Sequence, residues 1–254
     1  MKKRMDVLVS FAATGTLACA LHAAGAMAEG FGYYGEDGPD YWGELNPDWA
    51  MCSEGSQQSP VDLGNQRRYR APALQYSESE GEIFNNGHTI EVELTEGENA
   101  LMLDGVPYHL LQFHFHTASE HRVQGRGYDM EMHLVHKNGA GELAVVGVFL
   151  KRGESSGALE PIFENMPPIG EELNVKHELE DSFNPSDFLP VDEANYRYMG
   201  SLTTPPCSEG VRWYVMLDPV SVSDEDMAQF AARISFNARN TQRGVPEKKH
   251  DEKH

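Results

Sequence analysis

Basic residues are scarce in this sequence. Lysine and arginine number 20 against 40 aspartates and glutamates, so the 254-residue chain has a formal net charge of −20. A surface of that sign repels nucleic acid and anionic lipid, and we exclude both as partners. The acidic residues are spread along the whole chain, so we interpret them as favouring solubility or a salty habitat rather than as an acidic binding tail.

Long hydrophobic runs are also lacking, with one exception at the N terminus. Three basic residues at positions 2–4 precede an apolar stretch over residues 7–24, and "AMA" at 26–28 has the small-x-small pattern of a cleavage site. This pattern predicts a secretory signal peptide over residues 1–28, hence a periplasmic or secreted protein with no membrane anchor after cleavage. A retained anchor is the alternative, which His22 and the many Ala, Gly and Thr residues disfavour.

Cysteine is scarce as well. Of three cysteines, Cys19 lies in the predicted signal peptide, which leaves Cys52 and Cys207. An even pair in an exported protein predicts one disulfide. The alternative is that both bind zinc, but neither has a second Cys or His close to it in the sequence.

Short strand-like runs dominate the rest of the chain, and neither an internal repeat nor a long linker is present. Period-two alternation or Val/Leu/Phe runs occur at residues 88–94, 109–115, 130–137, 143–151 and 211–217. Because Gly, Asn or Asp separates these runs, we predict a single β-dominated domain over residues 29–245.

Helical patterns are few. Residues 223–235 carry an N-cap at Ser223, an acidic first turn and apolar residues at 227, 230, 231 and 234, and residues 158–166 are a shorter candidate. The last segment, residues 246–254, is charged and lacks apolar residues, which predicts a disordered tail.

The run "LLQFHFHTASEH" over residues 110–121 raises the question of function. In a strand, residues i and i+2 share a face, so His114, His116 and Gln112 point the same way while the interleaved phenylalanines face the other side. Buried neutral imidazoles need partners for both ring nitrogens, and a metal would satisfy one on each ring. The pair alone is weak evidence for a site.

A second strand offers the third ligand that a tetrahedral zinc site with an open position requires. In "MEMHLVH", Glu131, His133 and Val135 share one face and His136 faces away. Glu131 could orient the ring of His133 as a metal ligand. The alternative is a core histidine that only pairs with Glu131. The following "GSLTTPPCSEGVRWYV" brings two threonine hydroxyls before a stiff Pro-Pro pair, although an ordinary turn would also have this composition.

Together these stretches resemble the α-class carbonic anhydrases, in particular their exported bacterial branch. Eight motifs in the family's order carry the resemblance across residues 34–245: "YGEDGPDYWGEL", "QQSPVDL", "FNNGHTIEVE", "LLQFHFHTASEH", "MEMHLVH", "LAVVGVFL", "GSLTTPPCSEGVRW" and "FNARNTQRGV". The resemblance implies a mainly β (α+β) domain around a large, twisted, mostly antiparallel central sheet with a few short peripheral helices.

The same resemblance implies an enzyme. The expected reaction is the zinc-dependent, reversible hydration of carbon dioxide to bicarbonate and a proton, a lyase activity that proceeds by attack of zinc-bound hydroxide and histidine-mediated proton transfer. The implied zinc ligands are His114, His116 and His133.

The resemblance also assigns the residues around the metal. Gln112 and Glu131 match acceptors behind the ligands, and Thr203 matches the hydroxyl that donates to the glutamate matched by Glu120. His88 matches the proton shuttle. The remaining matches are the carbon dioxide pocket Val135, Val145, Leu202, Val211, Trp213 and Thr204, the water-ordering Tyr34 and Asn86, the disulfide Cys52–Cys207 and the cis bonds before Pro60 and Pro206.

One departure from the family pattern affects the shuttle. Glu91 stands where many members have an asparagine, so we expect a nearby negative charge to raise the pKa of His88 or to disturb the water chain. Relatives of this branch often form homodimers, a state that no surface stripe in the sequence decides.

Two alternatives remain open. A non-catalytic zinc or ligand-binding module on the same fold typically loses one or more zinc histidines, whereas this chain keeps all three. A different zinc hydrolase would need a carboxylate base beside the water, and Glu120 is poorly placed for that if a threonine hydroxyl binds it.

Overall fold

A computed structural model describes residues 30–64, 68–155 and 157–242 of the chain. The predicted signal peptide at 1–28 and the predicted tail at 246–254 lie outside these residues. The fold described below comprises the residues from Phe31 onward. None of the helices in the described ranges is long and apolar enough to span a membrane.

Twelve strands form one twisted sheet in the described part of the chain. They are β1 Arg68–Tyr69, β2 Ala73–Gln75, β3 Glu80–Asn85, β4 Ile90–Glu96, β5 Ala100–Leu103, β6 Val106–Thr117, β7 Met130–Lys137, β8 Leu143–Arg152, β9 His177–Glu178, β10 Asn195–Ser201, β11 Glu209–Met216 and β12 Val220–Val222. The helices are short: α1 Trp42–Leu45, α2 Met51–Glu54, α3 Glu160–Glu164 and α4 Asp224–Ala231, with 3₁₀ turns at Gly35–Asp37, Pro47–Trp49 and Pro185–Phe188.

The main path of the sheet runs β1-β10-β11-β8-β7-β6-β4-β3-β9. Pairing is antiparallel except where β8 meets β11 and β12, which run parallel to it. The predicted architecture, a mostly antiparallel sheet with few peripheral helices, is therefore confirmed. Strand β7 coincides with the predicted run 130–137, and α4 is shorter than the predicted 223–235, although Ser223 caps it by accepting from the Asp226 N–H.

The two faces of the sheet have different roles. On one face, alternate residues of β6, β7 and β8 such as Phe113, Leu134 and Val146 pack into the larger hydrophobic core together with α3 and α4. On the other face, Val145 and Trp213 belong to a second apolar cluster. Because side chains alternate along each strand, the residues between the core positions of β6 and β7 must point toward this second face.

Candidate active site

Two neighbouring strands bring three histidines together on the second face of the sheet. His114 and His116 lie on β6, and His133 lies directly opposite His114 on β7. One ring nitrogen from each of the three comes within 4.8 Å of the others. The predicted ligand set therefore converges as a tetrahedral metal site requires.

The second nitrogen of each ring is already occupied. Each donates to an oxygen at 2.8–2.9 Å: His114 to Gln112 Oε1, His116 to the carbonyl of Asn237 and His133 to Glu131 Oε1. On His116 the remaining nitrogen, Nε2, is buried and has no hydrogen-bond partner among the described residues. A buried lone pair without a donor is costly, and a metal ion at the point of convergence would satisfy it.

The charge state of the rings also suits a cation. Burial, reinforced by the neighbouring His116 and His133, holds the pKa of His114 well below its usual range. Burial likewise lowers the pKa of His116, although Glu120 opposes that shift. Metal ligands must be neutral imidazoles, so the residues present fit zinc.

Glu131 supports the third ligand through a buried network. Its Oε1 accepts from His133 and from His121 Nδ1 at 2.6 Å, and its Oε2 accepts from the His121 N–H at 2.8 Å. Burial alone would raise the pKa of Glu131, but the two histidines hold it well below its usual range. The network continues from His121 Nε2 to the Tyr198 hydroxyl at 2.6 Å and on to Ser59 Oγ at 2.8 Å.

His121, Glu131 and His133 also lie close enough together to hold a metal. Their facing atoms, however, are already hydrogen-bonded to one another, so no lone pairs converge on a vacant point. We interpret His121 and Glu131 as groups that hold His133 in position and not as metal ligands themselves.

Glu120 lies against the ligands and has one free oxygen. Its Oε1 accepts from the Arg239 N–H at 2.8 Å, and its buried Oε2 has no hydrogen-bond partner among the described residues. Thr203 is 5% exposed. The hydrogen bond from Thr203 to Glu120 that the resemblance implies is not formed in the structure, which instead leaves Oε2 as an open acceptor.

An apolar wall adjoins the histidines. All five aliphatic and indole side chains assigned to the pocket belong to the second hydrophobic cluster: Val135, Val145, Leu202, Val211 and Trp213. Trp213 packs against His133 with ring centroids 4.9 Å apart, and its Nε1 donates to the Ser201 carbonyl at 3.0 Å. The one polar group of the indole is therefore bonded to the backbone and is not offered to the pocket.

Comparison with known proteins identifies the family. The sequence-family model that describes the eukaryotic-type carbonic anhydrases matches residues 37–249 of this chain. The chain belongs to the alpha carbonic anhydrase family. It is 38% identical to a carbonic anhydrase of Nostoc over 92% of this chain and 90% of that protein, and 40% identical to one of Neisseria gonorrhoeae over 79% of each. A solved alpha carbonic anhydrase of Thermovibrio ammonificans, in complex with sulfanilamide, superposes with a TM-score of 0.80 at 40% identity, covering 86% of this chain and 96% of that one.

In this carbonic anhydrase the shuttle candidate His88 stacks on Phe31. The two rings are 3.9 Å apart and within 6° of parallel. Burial lowers the pKa of His88 from its ordinary value. We expected Glu91 to raise that pKa, and this expectation was wrong: the pKa is lowered, and burial of the imidazole is the cause.

Glu91 and Asn86 are bound to each other. The Asn86 amide donates to Glu91 Oε2 at 3.0 Å, while its Oδ1 accepts the N–H groups of His88 and Thr89 at 2.9 Å. Asn86 thus shapes the turn that carries His88. Burial and the neighbouring Glu93 raise the pKa of Glu91.

The structure does not support the assignment of Tyr34 to the polar network. Tyr34 is 64% exposed and packs on Phe236. The adjacent Tyr33 instead points inward, and burial together with the charge of Glu120 raises its pKa. The assignment was therefore displaced by one residue, because the segment before α1 is irregular and has no periodicity that shows which tyrosine faces inward.

The disulfide between Cys52 and Cys207 is present, with an S–S distance of 2.05 Å. It fastens the loop after Thr204, whose carbonyl accepts from the Cys207 N–H at 2.9 Å. The peptide bonds before Pro60 and Pro206 are cis, as the resemblance implied.

Several residues of the site were not predicted from the sequence. Four of them contact a ligand or its supports from a distant part of the chain, namely Asn237, Arg239, Tyr198 and Ser59. The fifth, His121, lies ten residues before Glu131. Gly147 lies opposite His133 on β8, where a methyl group would stand 3.1 Å from Glu131 Oε1. Only His121 carried a usable signal, since it directly follows Glu120 in the histidine-rich motif.

Proposed function

We propose that this carbonic anhydrase binds zinc through His114, His116 and His133 and hydrates carbon dioxide reversibly to bicarbonate and a proton. The observation that carries the proposal is the convergence of three ring nitrogens whose partner nitrogens are each held by an oxygen. Zinc held there supplies a hydroxide nucleophile near neutral pH, an effect for which carbonic anhydrases are themselves the usual example.

Thr203 and Glu120 orient the nucleophile. Once the Thr203 hydroxyl turns to donate a hydrogen bond to the open Oε2 of Glu120, that hydroxyl has only its lone pairs left to offer. Thr203 then accepts a hydrogen bond from the nucleophile and aims the nucleophile's lone pair at the substrate.

The apolar wall receives the substrate. Carbon dioxide has no charge and no donor, so side chains such as Val145 and Val211 can hold it without competing with water for hydrogen bonds. Bicarbonate is charged, and the same wall favours its departure. Thr204, which is half-buried at the edge of this wall, offers the polar contact for the product.

His88 passes the product proton to the solvent. Its imidazole is half-buried and its pKa is lowered, so it releases a proton to buffer readily at neutral pH. We assign the ordering of water between the metal site and this ring to Tyr33, on which the charge of Glu120 acts, and to Asn86, which binds the His88 N–H.

Stopped-flow measurement of carbon dioxide hydration, with and without a zinc chelator, tests the proposal. Chelator-sensitive hydration is expected, and zinc binding without any hydration would favour the non-catalytic module instead. His116→Ala should lose both zinc and activity, whereas His109→Ala, an exposed histidine on the same strand, should keep both.

Two further variants separate the roles of the residues. Thr203→Ala should lower kcat/KM by about a hundredfold while zinc stays bound, and Thr203→Ser should keep most activity. His88→Ala should lower kcat in weak buffer and leave kcat/KM unchanged, and added imidazole should restore it. Equal rates for His88→Ala and the wild type would assign the shuttle to another group.

We also propose that the protein is exported. A disulfide between residues 155 positions apart persists in oxidising compartments such as the periplasm. The mass of the protein recovered from the periplasm or medium should lack residues 1–28, and a full-length mass would contradict the predicted cleavage.

A further inference from the structure

The side chain of Asn237 joins two parts of the site that lie far apart in the sequence. This residue follows α4 and is 1% exposed. Its Nδ2 donates to the carbonyls of His88 and Phe115, both at 2.9 Å, and its Oδ1 accepts from the Thr117 N–H at 2.7 Å. The amide therefore fastens the turn carrying the shuttle candidate to the strand that carries two metal ligands.

The backbone of Asn237 is held separately. Its N–H donates to the Thr117 carbonyl at 3.0 Å, and its own carbonyl accepts from His116 Nδ1 at 2.8 Å. Both bonds can persist when only the side chain is replaced. The contribution of the side chain to His88 can thus be measured apart from the backbone contact to the metal ligand.

Thr89 also connects the turn of His88 to the same strand. Thr89 Oγ1 donates to the Phe115 carbonyl at 2.5 Å and accepts from the Phe115 N–H at 3.2 Å. This tie fixes the residue after His88, whereas Asn237 binds the carbonyl of His88 itself. The imidazole is then held on its face by Phe31.

We propose that the Asn237 side chain is a positioning residue for proton transfer. By fixing the backbone of His88 relative to β6, it keeps the imidazole at one distance from the metal position, and a water chain of constant length can form. The inference rests on the proposed role of His88 as the shuttle. Transfer through an ordered chain is sensitive to displacements of an ångström, so loosening this turn should slow it.

Asn237→Asp is the decisive variant, measured on the zinc-loaded enzyme. It keeps the shape and the acceptor for the Thr117 N–H but places an oxygen where Nδ2 donated. An ionised carboxylate loses both bonds to the carbonyls of His88 and Phe115, and a protonated carboxyl can keep only one of them. We expect kcat in weak buffer to fall about fivefold or more while kcat/KM stays within about twofold, with imidazole restoring kcat.

Asn195→Asp is the matched control. Asn195 is fully buried on β10, its Nδ2 donates to the carbonyls of Arg70 and Glu193 at 2.9 and 3.0 Å, and its Oδ1 accepts from Arg197 Nε at 2.9 Å. The same substitution there removes two equivalent bonds away from the site. It should lower the free energy of unfolding, but it should not lower kcat relative to kcat/KM.

A spectroscopic measurement tests the positioning without activity. In zinc-loaded protein with ¹³C-labelled histidine, the ring signal of His88, assigned with His88→Gln, should carry the ring-current shift of Phe31. Asn237→Asp should reduce that shift and Asn195→Asp should not.

Two results would overturn the inference: an unchanged His88 signal in Asn237→Asp, or kcat and kcat/KM falling together. If the wild-type enzyme failed to hydrate carbon dioxide, the proposed function would be rejected. The His88 signal would still test whether the Asn237 side chain fixes the position of His88.

Discussion

His121 and His133 donate to the same carboxylate oxygen, Oε1 of Glu131, at 2.6 and 2.9 Å. One buried charge therefore orients His133, the third of the proposed zinc ligands, and is itself held from behind by His121, which is not one of the three. Because the contact continues through Tyr198 to Ser59, the position of His133 depends on residues from four separate segments of the chain.

Replacing Glu131 by glutamine should weaken zinc binding by about 10–100-fold, because a neutral amide cannot accept from both histidines and lowers the basicity of the ligand ring. Competition with a chromophoric chelator measures this affinity. Glu178→Gln, at an exposed glutamate of β9, is the control and should bind zinc like the wild type. Unchanged affinity in Glu131→Gln would show that the carboxylate does not support the ligand.

His136 should make the protein sensitive to mild acid. It is fully buried, its Nε2 contacts the Tyr76 hydroxyl at 2.7 Å, and burial lowers its pKa from 6.5 to about 4. Between these two pH values the unfolded chain binds a proton at this site that the folded protein does not. The free energy of unfolding should therefore fall by about 3 kcal/mol as the pH drops from 6.5 to 4.

Urea unfolding of the zinc-free protein at several pH values tests this dependence, because metal release then makes no contribution. His136→Gln keeps a partner for Tyr76 and should make the profile less steep over that range, while His114 and His116 keep their own contribution. His109→Gln, at an exposed position, should retain the wild-type profile. Parallel profiles for the wild type and His136→Gln would assign the acid sensitivity to other groups.

Reducing the Cys52–Cys207 bond should destabilise the protein by roughly 4–5 kcal/mol in the chain-entropy model, because it closes a loop of 155 residues. The Cys52→Ser, Cys207→Ser double variant should show the same loss without reductant. Urea midpoints with and without dithiothreitol measure it. A wild-type protein unaffected by complete reduction, verified by thiol titration, would contradict this expectation.

Phe31→Ala should raise the pKa of His88 toward its ordinary value, because the stacked ring supplies part of the burial that lowers it. An NMR titration of the His88 ring measures the shift directly. Tyr34→Ala removes an exposed aromatic ring from the same segment and should leave the His88 titration unchanged. If Phe31→Ala did likewise, the desolvation of His88 would come from elsewhere.

The strand content and the faces of the strands could be predicted from the sequence, because side chains alternate strictly along β6 and β7. That alternation is sufficient to place His114, His116, Glu131 and His133 on one side of the sheet. The pKa of His88 could not be predicted in this way: a nearby acid suggested a raised pKa, but burial in the folded chain, where Phe31 stacks on the imidazole, lowers it.

Local periodicity in the sequence was sufficient to predict the strands of the sheet, and motifs a few residues long pointed to the proposed zinc ligands and the apolar wall. Which groups hold those residues in place depends on contacts that exist only in the folded chain. Asn237 and Tyr198 reach the ligands and their supports from 121 and 77 positions away. Hydrogen bonds at such separations leave no trace in spacing, because the strand order that brings the partners together is a property of the folded sheet.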